Sequence, residues 1–327
     1  MMRGVGWGIG RGLLAVLVFG AGLWVFAPAE PVDREIAFQD SSLGRDLDTW
    51  LEEREAVYPD IVPGVSKRIF WAGAKGARTP FAVIYMHGFS ATSEEIRPVP
   101  DEVARALGAN LFFTRLAGHG RGSAAMGEPV AGDWIEDMAE AMAIGRRLGD
   151  RVLVIATSTG ATLTALAVTD PVLSRDMAGV VLISPNFRVA AAGAVILDLP
   201  FARWWGPLVA GQVFSFDPRS PEQARYWTTS YPTTALFPVA ALARMAHGLD
   251  YAAARVPALF IYSLEDRVID PAAIAPVIAA WGGPVTQDVR RMQAGDDPYA
   301  HVIAGEIMSP GQTEPVIAAI LDWAGGL

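Results

Sequence analysis

Cysteine is absent from the 327 residues. Disulfides, a thiolate nucleophile and a cysteine-held zinc are therefore excluded, and the redox compartment stays open. Positive charge is also sparse: 26 lysines and arginines face 35 acidic residues, the net charge is −9, and no basic run occurs. Without clustered cations to displace counterions, nucleic acid is excluded as a partner. Histidine occurs four times, at His87, His119, His247 and His301, too scattered for a metal pair at helical spacing. The glycines of "GHGRG", Gly118 to Gly122, lack the Gly-Lys-Ser/Thr ending of a phosphate-binding loop. Neither a metal nor a cofactor is expected, and no internal repeat or low-complexity tract is present.

Apolar residues are plentiful instead, at 52% of a chain long enough for one large domain with an insertion. At the N-terminus Arg3 and Arg11 precede the uninterrupted run "GLLAVLVFGAGLWVFA", Gly12 to Ala27, and the first acid is Glu30. The run is near the lower limit of the roughly 17–25 residues that span a bilayer, and "APA" before Glu30 offers a cleavage pattern. Residues 1–29 are thus expected to be an export signal or a membrane anchor. The arginines would stay cytoplasmic, placing the rest of the chain on the exoplasmic side, associated with the membrane if the segment is retained.

A polar connector is expected over residues 30–63. Five short apolar runs follow: "FAVIYMHG", "NLFFTRLAGHG", "VLVIAT", "GVVLISP" and "PALFIYS". None alternates with polar residues, the pattern of parallel strands buried on both faces. Helical patterns lie between them. In "DWIEDMAEAMAIGRRLGD", Asp133 is a candidate N-cap and Gly149 a terminator, and a last helix is expected from about Thr313. Strand and helix in alternation predict a doubly wound α/β sheet, with core halves at residues 64–189 and 257–327. The rhythm breaks at 190–256, where Phe201, Trp204, Trp205, Phe214, Phe216, Tyr226, Trp227, Tyr231 and Phe237 imply an insertion that buries its rings on the body or around a ligand.

Within "VLVIATSTGAT" a buried strand ends at Ala156, turns through Thr157, Ser158 and Thr159, and enters a helix at Gly160. Such a turn lifts a serine oxygen above the sheet and aims a helix N-terminus at whatever it attacks. A serine hydroxyl needs an imidazole to take its proton and a carboxylate to orient that imidazole. Asp266, in the loop after "PALFIYS", is the candidate carboxylate, with Glu265 and Asp270 as competitors; Asp270 precedes Pro271 and has the look of a helix cap. His301 is the candidate base, with Asp296 and Asp297 near enough to tune it. Ser158, Asp266, His301 is also the chain order of an α/β-hydrolase.

With "HGF", "LAGHGRG", "ATSTG", "LEDRVIDP" and His301 arriving in that order, the chain resembles the α/β-hydrolases of the serine lipase, esterase and lysophospholipase type, close to the monoacylglycerol-lipase-like branch, over residues 70–326. The resemblance implies an α/β-hydrolase fold, a mostly parallel doubly wound sheet with a helical lid at 190–256. It implies Ser158 as nucleophile, His301 as base and then acid, Asp266 as its partner, and the backbone amides of Phe89 and Thr159 as the oxyanion hole. His87 and His119 fall inside landmarks where the family's histidine is structural, and His247 lies in the insertion. The sequence departs from G-x-S-x-G at Ala156, which adds one methyl group. The expected activity is hydrolysis of carboxylic esters of lipophilic acyl groups through an acyl-enzyme, without a cofactor. Proline-releasing peptidase activity and a silent scaffold on the same fold are the alternatives.

Overall fold

The computed structural model describes residues 29–327 together with Gly20, so the expected signal or anchor falls almost wholly outside the described residues. No helix among the described residues is long and apolar enough to cross a membrane. In chain order the first part comprises helix α1 (Leu47–Glu55), strands β1 (Arg68–Phe70) and β2 (Thr79–Met86), α2 (Val99–Leu107), β3 (Asn110–Phe113), α3 (Ala131–Leu148), β4 (Gly149–Thr157), α4 (Thr159–Ala167) and β5 (Met177–Ile183). An inserted stretch carries α5 (Ala202–Ala210), β6 (Val213–Ser215), α6 (Pro221–Tyr226), β7 (Ser230–Pro232) and α7 (Leu236–His247), with β6 and β7 paired antiparallel. The chain ends with β8 (Ala258–Tyr262), α8 (Ile274–Ala280), β9 (Val285–Val289) and α9 (Pro310–Ala324).

Seven strands form one sheet in the order β1-β3-β2-β4-β5-β8-β9, parallel throughout except where β1 meets β3. The winding reverses between β2 and β4, and the carboxyl ends of strands at such a reversal are where open α/β sheets bind ligands. Each of the five apolar runs supplies one of the inner strands. Along β4, Val152, Val154 and Ala156 join the core layer containing Trp134, Met138 and Met142 of α3, while Leu153 and Ile155 join the opposite layer with Val316 and Ile320 of α9. Both faces are apolar, which is why no alternation shows in the sequence. Burying each of the valine, leucine, isoleucine and methionine side chains among them contributes about 1.5–3 kcal/mol.

Several local expectations shift. Asp133 is not the N-cap of α3: Val130 is, and Asp133, three residues on, accepts the Val130 N–H at 2.8 Å. The same exposed donor is satisfied from inside the first turn. Gly149 ends α3 as expected and starts β4 at once; a Cβ there would lie 2.4 Å from the Ala82 nitrogen. The last helix begins at Pro310, a residue suited to a first helical turn, not at Thr313. Strands β1 and β9 were not expected, since a three-residue edge strand and the polar "VTQDV" carry no apolar run. The connector is not merely polar: Leu47 and Leu51 of α1 are buried, and Glu55 accepts two hydrogen bonds of 2.7 Å from the Arg115 guanidinium. Among the insertion's rings, Trp227, Tyr231 and Phe237 are buried, but Phe201, Trp204 and Phe214 are exposed.

Candidate active site

Strand β4 runs one residue past Ala156, and α4 starts at Thr159, so the turn is confined to Ser158 at φ 51°, ψ −114°. A non-glycine residue held there is strained and persists only where its surroundings over-determine it. Ser158 N–H donates to Ile183 O at 2.9 Å, and its carbonyl accepts from Thr162 N–H at 3.0 Å. Gly160 passes so near the end of β2 that a Cβ would sit 2.3 Å from Met86 O. That contact explains the small residue two places after the serine.

Asp266 comes from the loop after β8 and His301 from the loop between β9 and α9. His301 Nε2 lies 3.0 Å from Ser158 Oγ, and its Nδ1 lies 2.8 Å from Asp266 Oδ2. The other Asp266 oxygen accepts from the N–H groups of Val268 and Ile269 at 2.8 and 3.0 Å, which prevents the carboxylate from turning away. All three side chains are buried. Burial opposes charging the His301 ring, but the adjacent Asp266 carboxylate, helped by Glu95 and Asp297, outweighs it and holds the imidazole above its ordinary value.

The flanking candidates sort by contact. Asp297 grips the His301 loop: Oδ2 accepts from His301 N–H at 3.1 Å and Val302 N–H at 3.0 Å, while Ser184 Oγ donates to His301 O at 2.7 Å. Asp296 instead accepts from Gln293 and Gly311 N–H. Asp270 caps the turn at Pro271 through the Ala272 N–H at 2.9 Å, and Glu265 is exposed. His87 and His119 hold loops. His87 Nε2 accepts the Leu116 N–H at 3.0 Å, and His119 Nδ1 lies 3.0 Å from Ala117 O. Burial keeps both rings neutral, lowering His119 to about 4. His247 is exposed at the end of α7.

The N–H groups of Phe89 and Thr159 donate to no acceptor among the described residues. One is in the loop after β2 and the other opens α4, on either side of the sheet's winding reversal. Buried beside them is a residue the sequence analysis did not single out, Glu95. Its Oε2 accepts the Gly88 N–H at 2.7 Å and the Tyr85 hydroxyl at 2.9 Å, and that hydroxyl lies 3.1 Å from Thr157 Oγ1. A continuous polar chain thus ties the residue before Ser158 to the residue before Phe89. Burial raises the Glu95 carboxyl, despite hydrogen bonds that favour its ionised form. In "TSEE" it resembles one of two solvated acids; the available signal was Tyr85, a hydroxyl inside an aliphatic strand that must find a partner. The insertion closes over this loop, with Thr228 N–H donating to Ser90 O at 2.7 Å and the Tyr231 ring 5.2 Å from that of Phe89.

A family model described as serine aminopeptidase, S33 (Hydrolase_4) matches residues 78–287, a stretch that includes Ser158 and Asp266 and stops short of His301. The chain belongs to this family. A thermostable monoacylglycerol lipase of Bacillus sp. (strain H-257) is similar to this hydrolase, 28% identical over 197 residues that cover 59% of this chain and 73% of the relative. A structure reported with the metagenome-derived lipolytic enzymes LipS and LipT superposes with a TM-score of 0.66 at 20% identity, covering 82% of this chain and all of that one. The Paleococcus ferrophilus monoacylglycerol lipase gives 0.58 at 16% identity, over 79% and 97% of the two chains. At such identities the superpositions show the fold. With the family match they make this chain an α/β-hydrolase of the lipase and esterase branch, as the five sequence landmarks implied.

Proposed function

We propose that this hydrolase cleaves carboxylic esters of lipophilic acyl groups through an acyl-enzyme on Ser158. One observation carries the reading: a single imidazole within hydrogen-bond reach of both the Ser158 hydroxyl and the Asp266 carboxylate. Asp266 accepts from Nδ1–H, which leaves the Nε2 lone pair facing the serine. His301 takes the Ser158 proton as Oγ bonds to the ester carbonyl carbon, and the Phe89 and Thr159 amides receive the oxyanion. The imidazolium then protonates the departing alkoxide, and water repeats the sequence on the acyl-enzyme. Loss of one aligned oxyanion donor would raise the barrier by about 2.7–4 kcal/mol.

The aromatic surface beside Phe89 favours an acyl chain over a charged group, and the similarity to the Bacillus monoacylglycerol lipase points the same way. The family's description favours a second reading, removal of N-terminal residues from peptides, which requires a free carboxylate for the substrate ammonium. Asp297 is taken up by backbone N–H groups and Asp198 of the insertion is paired with Arg244, whereas Asp217 and Glu222 of the insertion are exposed and are the carboxylates that reading would use. The deciding experiment is labelling by a fluorophosphonate, abolished in Ser158→Ala with folding retained, followed by rates on an acyl-chain series and on aminoacyl anilides. Labelling that survives the substitution, or preference for acetyl esters or for anilides, would refute the proposal. A body on the exoplasmic side of a membrane, with Arg3 and Arg11 on the other, completes it.

A further inference from the structure

Helix α5 has no polar face. Arg203 is its one charged residue; Ala202, Gly206 and Pro207 are buried, while Trp204 and Leu208, one turn apart, are each 78% exposed. The rings of Phe201 and Trp204 are 5.9 Å apart, and Val209, Val213 and Phe214 add further exposed apolar surface nearby in the chain. A helix apolar all round belongs in a core or against lipid, and a large exposed apolar patch marks an interaction site.

Where the N-terminal chain joins the body indicates what covers this face. Glu30 is tied to α5 and to its neighbour α7: its carboxylate pairs with Arg203 of α5, and its carbonyl accepts from Arg244 Nη2 of α7 at 3.1 Å. The apolar run that begins at Gly12 ends at Ala27. Three residue steps, at most about 11 Å, separate that end from Glu30. A bilayer that takes up residues 12–27 therefore begins beside α5.

We propose that the exposed face of α5 is a lipid-docking surface. Phe201, Trp204, Leu208 and Val209 enter the interfacial zone of the same phospholipid bilayer that holds residues 12–27. Indole favours that depth, where one end of the ring meets acyl chains and the N–H meets headgroups. A single attachment lets the body swivel, whereas two adjacent ones set which side of the hydrolase meets the membrane. This rests on the membrane attachment proposed above for residues 12–27 and not on the chemistry at Ser158.

Because the chain has no cysteine, one introduced thiol can be labelled uniquely. Full-length Leu208→Cys carrying an environment-sensitive fluorophore is expected to shift its emission to the blue on phosphatidylcholine vesicles and to lose most of it to nitroxide-bearing lipids. The same label on full-length Val172→Cys, 61% exposed in the loop that enters the amino end of β5, whereas the insertion follows the carboxyl end of that strand, is expected to do neither. An aqueous, unquenched label at position 208 on vesicle-bound protein overturns the proposal, and so does failure of the full-length chain to bind vesicles. A label at 208 already shielded without lipid also overturns it, since residues 12–27 or a second copy would then occupy the face.

Discussion

Trp134 in α3 and Trp204 in α5 are the same residue type in helices dominated by apolar side chains, yet their surroundings differ completely. Trp134 is fully buried in the body and donates its indole N–H to Ala117 O at 3.1 Å, whereas Trp204 projects from the insertion. The body uses its apolar surface to hold strands in register, and so to place three loops within ångströms of one another. Part of the insertion keeps its apolar surface outside. Side-chain type alone does not distinguish these uses; the difference is whether a second layer exists to pack against. The polar groups differ likewise, since in the body the Asp266, His301 and Glu95 side chains are buried and hydrogen-bonded around Ser158, while α5 has little polar surface to offer.

The largest effects should come from the buried end of this contrast. Ser158→Ala or His301→Ala should lower kcat about 10⁶-fold, and Asp266→Asn about 10⁴-fold, in ester hydrolysis assays with unchanged circular dichroism. Retention of activity by any of the three would break the comparison at its centre. Next, Trp134→Ala should cost about 3–5 kcal/mol in denaturant titrations.

Glu95 sharpens the comparison from within the body. Glu95→Ala should lower kcat about 10²-fold with KM little changed, because freeing the Gly88 peptide misaligns the Phe89 amide, and Glu95→Gln should recover most of the loss. The sign of its pH dependence is fixed by the raised carboxyl: the folded state favours the protonated form, so its contribution is intact below the unfolded value near 4.5 and is lost as pH rises. Relative to the parent, Glu95→Gln should therefore gain thermal stability as pH increases, and a constant difference across pH would contradict the assignment. For His301, kcat/KM should rise with pH through a midpoint above 6.5, and Asp266→Asn should move that midpoint down. At the smallest end, Trp204→Ala should change stability by no more than about 0.5 kcal/mol. A cost like that of Trp134→Ala would mean that the insertion is packed as the body is.

Much of the site was legible because each element announces itself locally. A strand running into small residues marks the serine turn, and Asp266 sits in the loop after the apolar run of β8; the polar β9 before the His301 loop gave no such mark, and His301 stood out by its place in the chain order. Resemblance supplied the roles and the two amides. Glu95 was not legible, since a glutamate in a charged loop carries no mark of burial until the Gly88 N–H and the Tyr85 hydroxyl are seen to converge on it. The strain at Ser158 was foreseen as a tight turn, but its companions at Ser90, Ser184 and Ala300, all at positive φ around the same site, were not. Positive φ in a non-glycine residue is imposed by neighbours distant in sequence.

From the chain alone came the exclusion of thiol, disulfide and polyphosphate chemistry, the five inner strands and the order of the candidates Ser158, Asp266 and His301. All of these are carried by residue type and near-neighbour pattern, the scale on which strand burial and turn chemistry act. The tertiary structure decided which of the acids meets the imidazole, which glutamate is buried behind the loop after β2, and which apolar rings remain outside. Those outcomes depend on residues up to 143 positions apart meeting in space, and no local preference encodes such a meeting.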